Sequence, residues 1–319
     1  MNLDLNTLCT FLFTVLKVST PIVYGALGIC MTKQAGLMNL AGESMMIGGA
    51  LCGVIASGYL GTLGFGILGG LLGGFLIAMI VSYAAFQCKT DLYLTCIAVN
   101  TAMTGGSILI MYLLTGQKTN TIGYINSAVM PSVELPLIKD IPILGEILSG
   151  HNLFTYLAIV FLAMECFLLY KTKLGLRIRA VGQNPQAAET VGISSKKIYF
   201  ISYGICGAFS AMAGMFMSMG YLQWFARDMM GGRGFISMSA ATVAGANPVG
   251  AAGVAIVFGF SDAIANYAQL FSLPFEFAYM FPYAATILLL VLITLLKRAR
   301  AKKRLKTRIS VAKNGDTET

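Results

Sequence analysis

Three pairs of polar residues lie within long apolar stretches of this 319-residue chain, far from any charged run. Inside a membrane, carboxylates, amides and hydroxyls bind ions, carry protons, hydrogen-bond a polar solute or join helices to one another. The two members of each pair are four positions apart, so each pair shares one face of a helix. The six residues are Asn39, Glu43, Asn100, Thr104, Asp262 and Asn266.

Glu43 is the most informative of the six, because no cation lies within one helical turn of it along the chain. A charge at mid-bilayer costs ~2.5–3.5 kcal/mol on insertion scales. Glu43 is therefore protonated, paired (Lys17 is one candidate) or in contact with water on a transport path. Alternatively, it caps the free amides of a helix that breaks within the membrane. For the other five residues, the alternative to a substrate path is hydrogen bonding between helices.

The remaining reactive residue types show no arrangement for catalysis or metal binding. The single histidine, His151, lies outside the apolar runs, and the seven cysteines lack metal-ligand spacing. The sequence has no G-x-x-x-x-G-K-[ST] phosphate loop. We therefore predict no catalytic residue, no metal and no cofactor, and a protein that is not an enzyme. If ATP drives it, a separate chain hydrolyses the ATP.

The composition is that of an integral membrane protein. Hydrophobic residues make up 57% of the chain and charged residues only 11%, whereas soluble domains carry about 25% charged residues. Nine of the 22 Lys and Arg residues lie at positions 297–313 and six at positions 171–197. Because cationic loops between spans stay in the cytoplasm, this clustering indicates orientation and not nucleic-acid binding.

The hydrophobic runs predict an all-α fold with about nine membrane-spanning helices, or about eight to ten if short runs such as residues 234–247 do not cross. We predict one transmembrane domain with an inverted-topology repeat. Residues 1–114 form the first repeat and residues 198–297 the second. The N-terminus and the loop 115–152 are predicted outside; the loop 171–197 and the basic tail 298–319 are predicted in the cytoplasm.

The cytoplasmic loop contains a short helix whose two ends are marked in the sequence. Asn184 is a good N-cap, Pro185 suits the first helical position and Gly192 tolerates the left-handed conformation after the last turn. These signals predict a helix over residues 185–191, preceded by the cations Arg177 and Arg179. A helix of this kind is held by another protein or rests on the lipid headgroups.

Three stretches of the sequence carry a family resemblance. They are QAGLMNLAGESMMIGGA at 34–50, GLRIRAVGQNPQAAETVGIS at 175–194 and GGRGFISMSAATVAGANPVGA at 231–251. Together they resemble the permease subunits of bacterial ABC importers in the branched-chain amino acid, ribose and nucleoside permease family. The pattern formed by Gly36, Asn39 and Glu43 is closest to the nucleoside (simple-sugar-like) branch.

The resemblance implies a multi-pass permease of the bacterial cell membrane that imports nucleosides, or else ribose-type sugars or branched-chain amino acids. Its implied partners are a separate ATP-binding subunit, a second permease chain (related or identical), an extracytoplasmic substrate-binding lipoprotein and membrane lipid. An ion-coupled secondary transporter has similar repeats and stays an alternative. The residues expected to couple the chain to the ATPase are Arg177, Arg179, Asn184, Pro185, Ala187, Ala188, Glu189 and Gly192.

Overall fold

The computed structural model describes residues 5–134 and 144–269, together with the isolated positions 284, 287, 288, 291 and 295. The chain divides into two compact units, residues 1–263 and 264–319. Nearly all described residues of the first unit that form regular structure are helical, which confirms the predicted all-α class. Of the second unit, the structure describes residues 264–269, which are helical, and the five isolated positions.

Eleven α-helices occur in the described residues. In chain order they are α1 (Leu5–Gln34), α2 (Gly42–Leu60), α3 (Leu63–Ser82), α4 (Leu92–Thr115), α5 (Leu144–Leu148), α6 (Leu153–Lys171), α7 (Lys173–Gln183), α8 (Pro185–Thr190), α9 (Ser195–Met215), α10 (Arg233–Val243) and α11 (Pro248–Gln269). Short π-helical segments, Tyr83–Gln87 and Phe216–Tyr221, continue α3 and α9.

Seven of these helices are long and apolar enough to cross a membrane, namely α1, α2, α3, α4, α6, α9 and α11. The run predicted to cross at residues 234–247 forms α10, which has 11 residues. At ~1.5 Å per residue α10 is about 16 Å long, roughly half of the ~30 Å hydrocarbon core. Of the apolar run at residues 277–296, only isolated positions are described.

Helices α1, α2, α3 and α9 pack closely at the centre of the first unit. A Cβ atom added at Gly73 of α3 would lie 2.7 Å from the carbonyl oxygen of Gly48 on α2. One added at Gly49 would lie 2.5 Å from the Cα atom of Ala211 on α9. Such approaches are closer than real Cβ contacts, so small residues at these positions allow the helix backbones to come together.

The end of the bundle between α4 and α6 carries a small two-stranded sheet. β1 (Ser132–Val133) pairs antiparallel with β2 (His151–Asn152). The His151 ring stacks on Phe13 of α1 at a centroid distance of 3.9 Å. Helix α1 is continuous through Pro21, and its residues from Thr7 to Gln34 form a single candidate span.

Candidate functional site

Helix α2 begins in the interior of the bundle, after a non-helical segment that follows Gly36. Gly36 has a φ angle of +82°, a conformation that L side chains rarely adopt. Asn39 lies in this segment and is buried. Its side-chain oxygen accepts a hydrogen bond from the Ala41 N–H at 2.8 Å, and its amide nitrogen donates to the Cys206 sulfur at 3.2 Å. Asn39 thus fixes the path of the chain into α2.

Asn100 of α4 binds backbone groups at the start of α2. Its side-chain oxygen accepts from the Ser44 N–H at 3.1 Å, and its amide nitrogen donates to the Leu40 carbonyl at 2.9 Å. The first N–H groups of a helix have no partner within that helix, and in a membrane each unpaired group is costly. A residue on another helix therefore supplies the cap that α2 lacks.

Glu43 does the same for α10. One carboxylate oxygen accepts from the Gly232 N–H at 2.9 Å and the other accepts from the Gly234 N–H at 3.1 Å. Among the explanations open at the sequence level, this geometry matches capping of a helix that begins within the membrane. Lys17 is not its partner, since the Lys17 ammonium lies 4.8 Å from the centre of the Tyr221 ring. We call Asn39, Glu43, Asn100 and residues 232–234 the interior junction.

A charged pair extends the interior junction toward α11. The Arg233 guanidinium lies 3.4 Å from a carboxylate oxygen of Asp262 and also donates to the Met230 carbonyl at 3.2 Å. The Arg233 and Asp262 side chains keep 20% and 13% of their surface exposed. Asp262 was predicted from the sequence and Arg233 was not, although Arg233 is a single cation directly before the small-residue run of α10.

The two remaining predicted residues are Thr104 and Asn266. Thr104 is exposed on α4, where its hydroxyl donates to the carbonyl of Asn100 at 2.9 Å. Asn266 is exposed on α11 and belongs to the second unit. The structure therefore brings together Asn39, Glu43 and Asn100, links Asp262 to them through Arg233, and places Thr104 one helical turn from Asn100.

The predicted loop helix is present and is the second of two. α7 contains Arg177 and Arg179, and α8 follows it directly. The Asn184 side chain accepts from the Ala187 N–H at 3.0 Å, as the predicted N-cap should. Gly192, with a φ angle of +82°, lies just beyond the C-terminal end of α8. The sequence signals therefore located this helix to within a residue.

The buried side of α7 and α8 packs onto the ends of the membrane helices. Ile178, Val181 and Ala188 share one hydrophobic cluster with Met31 of α1 and Ile198 of α9. A Cβ atom added at Gly182 would overlap the carbonyl oxygen of Gln34, so α7 touches the backbone that leads from α1 into the interior junction. The two loop helices are thus fixed to the bundle through apolar contacts and a close backbone approach.

The opposite side of α7 and α8 is exposed. Leu176 and Val191 are 61% and 73% exposed, and Arg177, Ala187 and Glu189 also face outward. The Arg179 guanidinium instead lies 5.5 Å from the centre of the Tyr170 ring. The predicted coupling residues therefore divide into an outer set and an inner set that holds the helices in place.

Comparison with known proteins identifies the family. Residues 11–293 match the family model described as "Branched-chain amino acid transport system / permease component". The guanosine ABC transporter permease protein NupQ of Bacillus subtilis is 31% identical over 284 residues, which is 85% of this chain and 88% of NupQ. The nucleoside ABC transporter permease protein NupC of Lactococcus lactis is 29% identical over 90% of this chain and 93% of NupC.

A further relative is named for a sugar. The putative glucose ABC transporter permease protein TsgC13 of Haloferax volcanii is 28% identical over 82% of this chain and 78% of its own length. No solved structure matches the chain.

Proposed function

This chain belongs to the family of branched-chain amino acid transport system permease components, and on that premise we propose that it is the membrane-spanning subunit of an ATP-driven nucleoside importer. The observation that carries the proposal is its similarity, over most of both chains, to permeases named for guanosine and for nucleosides. Import of a sugar is the second candidate, because the glucose permease relative also aligns over most of its length.

The proposed substrate path passes the interior junction. A nucleoside is uncharged and rich in hydrogen-bond donors and acceptors, so its path is expected to offer amides, hydroxyls and few fixed charges. Thr104 is exposed, and the Arg233 and Asp262 side chains keep 20% and 13% of their surface exposed, so these three side chains are open to a solute. Asn39, Glu43 and Asn100 hold the two helix starts that shape the path. Asn266, in the second unit, stays a substrate-path prediction from the sequence alone.

The exposed side of α7 and α8 is the proposed docking surface for the ATP-binding subunit. It combines apolar side chains, Leu176 and Val191, with the cation Arg177. This assignment places residues 171–197 and 297–319 in the cytoplasm, and residues 115–152 and the N-terminus outside. The permease works with a second permease chain, because two ATP-binding subunits must close on each other. An extracytoplasmic lipoprotein delivers the substrate.

Uptake in cells tests the substrate and the driving force together. Cells carrying or lacking this gene are given labelled guanosine, glucose and leucine, first with a protonophore and then after ATP depletion. Gene-dependent guanosine uptake that survives the protonophore and stops without ATP is expected. Uptake of glucose alone would transfer the assignment to the sugar candidate. Uptake that the protonophore abolishes while ATP stays high would indicate a secondary transporter.

Charge reversal on the exposed side of α7 tests the coupling assignment. Arg177→Glu should reduce ATP-dependent uptake at least ~tenfold, because it reverses a charge at the proposed docking surface while the protein stays folded in the membrane. Lys118→Glu, which changes a cation on the connection after α4, is the matched control and should transport normally. Normal transport by Arg177→Glu would argue against this docking surface.

A further inference from the structure

The last two residues of α1 bind the C-terminal end of α10 and the turn that follows it. The Lys33 ammonium donates a hydrogen bond to the Thr242 hydroxyl at 2.7 Å, and the Gln34 side-chain nitrogen donates to the Ala246 carbonyl at 2.8 Å. Ala246 lies between α10 and α11 with a φ angle of +61°, which is uncommon for residues other than glycine. Lys33 and Gln34 therefore hold the end of α10 that lies away from the interior junction.

The same end of α1 is in contact with α7. A Cβ atom added at Gly182 would overlap the Gln34 carbonyl oxygen, and one added at Gly36 would lie 3.1 Å from the Gly182 carbonyl oxygen. This backbone contact resists a closer approach of α7. Met31 and Ile178 share a hydrophobic cluster beside it, and their burial resists separation. Because closely packed groups transmit displacement, α7 and the end of α1 move together.

Helix α10 extends from this contact to the interior junction. It is a continuous α-helix, whose backbone hydrogen bonds link each turn to the next. At its other end are the Glu43 cap and the ion pair of Arg233 with Asp262. The ion pair is the less confined of these two contacts, because its atoms are 3.4 Å apart and both side chains keep some exposure. A displacement at the C-terminal end of α10 is therefore carried along the helix to the proposed substrate path.

We propose that Lys33 and Gln34 are positioning residues of the transport cycle, which transmit movement of α7 and α8 to α10. The inference rests on the proposed function, because it takes the exposed side of α7 and α8 as the docking surface of the ATP-binding subunit. When that subunit moves α7, the contact at Gly182 displaces the end of α1. The hydrogen bonds of Lys33 and Gln34 then displace α10 with it. The two residues act through α10 and not by contact with the solute.

The ratio of ATP hydrolysis to uptake separates this role from a purely structural one. If the two hydrogen bonds only held the helices together, their removal would lower the amount of folded permease, and hydrolysis and uptake would fall in the same proportion. Transmission predicts that hydrolysis persists while uptake falls. Uptake of labelled guanosine or glucose, whichever the wild type takes up, is measured in cells, and ATP hydrolysis is measured with the purified importer in lipid nanodiscs. Both rates are expressed per permease chain in the membrane.

Lys33→Met and Thr242→Val each remove the same contact and should each reduce uptake at least about fivefold while hydrolysis stays nearly unchanged. The double variant should lose no more than either single variant, because only one interaction is removed. Lys33→Arg keeps a cationic donor and should retain most of the uptake. Gln34→Leu should also reduce uptake. Gln117→Leu, which removes an amide contact with the Tyr124 hydroxyl, is the matched control and should transport normally.

The wild type shows which of the two proposals fails. Without ATP-dependent uptake by the wild type, the proposed function is wrong and this inference falls with it. If the wild type transports, three results would overturn the inference alone. They are normal transport by the Lys33 and Gln34 variants, losses of hydrolysis and uptake in equal proportion, and losses of Lys33→Met and Thr242→Val that add in the double variant.

Discussion

Helices α8 and α10 both begin with a side-chain cap, but the caps come from different distances along the chain. α8 is capped by Asn184, three positions before the N–H that it binds. α10 is capped by Glu43, which is 189 positions from Gly232 and 191 from Gly234. The first cap lies at the end of the bundle beside exposed residues, and the second lies within it.

The difference follows from the solvent around each helix start. Water can replace a missing cap on an exposed helix, so a local polar residue contributes only about 1 kcal/mol there. Within a membrane there is no water to replace it, and a carboxylate with two backbone donors is a strong arrangement. Interior helix starts therefore need partners with exact placement, and those partners come from whichever helix lies alongside.

The largest effect is expected at Glu43. Glu43→Ala leaves the N–H groups of Gly232 and Gly234 without an acceptor and should reduce the free energy of unfolding by about 2–4 kcal/mol. Unfolding in mixed detergent micelles, followed by circular dichroism, measures the loss. Glu43→Gln keeps one acceptor oxygen and should lose clearly less. A Glu43→Ala protein as stable as the wild type would show that the interior cap, like the exposed one, can be lost without harm to the fold.

A smaller loss is expected at Asn100, because its partners are backbone groups at the start of α2 alone. Asn100→Leu removes both hydrogen bonds and should cost about 1–3 kcal/mol. An Asn100→Leu protein as stable as the wild type would show that this side chain does not cap α2.

The local cap provides the contrasting case. Asn184→Ala should destabilise α8 by about 1 kcal/mol and leave the global unfolding transition nearly unchanged, since water solvates the free N–H groups. Hydrogen exchange of the α8 amides measures this local opening, and Asn184→Ser, which keeps a capping oxygen, is the control. Global destabilisation as large as that of Glu43→Ala would show that both caps serve the whole fold.

The smallest effect concerns His151, whose polar contact is also local. Its ring nitrogen contacts the Ile147 carbonyl at 2.9 Å. Burial lowers the pKa of His151, the charge of Lys17 lowers it further, and the contact with Ile147 opposes both. In the unfolded chain the histidine has its ordinary pKa of about 6.5. Above that pH His151 is neutral in both the folded and the unfolded state, so its protonation does not reduce the free energy of unfolding.

Stability should therefore decrease as the pH falls below about 6.5 toward the lower pKa of the folded protein. Thermal unfolding at a series of pH values measures this slope. His151→Gln, which cannot take up a proton, should show a flatter dependence in the same range. An identical slope in both proteins would mean that other groups cause it.

The helical class, the family and the loop helix could be predicted because their signals are local. Composition and run length define membrane helices, and Asn184, Pro185 and Gly192 mark the ends of α8 within a few positions. Glu43 was recognisable as unusual, but its partners were not, because the Gly232 and Gly234 amides carry no side-chain signal. Arg233 is visible in the sequence as an isolated cation, but its pairing with Asp262 is not, because Asp262 lies on another helix. Contacts of this kind depend on tertiary packing and not on periodicity.

The cap on α10 also constrains the order in which the protein can be inserted into its membrane. With 11 residues, α10 is too short to partition into a bilayer as an independent segment. Glu43 emerges from the ribosome long before Gly232, and α2 is therefore in place when α10 is made. When α10 enters the bundle, the Glu43 carboxylate is already in position to accept hydrogen bonds from the Gly232 and Gly234 amides. An early helix thus acts as the assembly template for a late one. If α10 were inserted before α2, its first amides would lack the Glu43 cap.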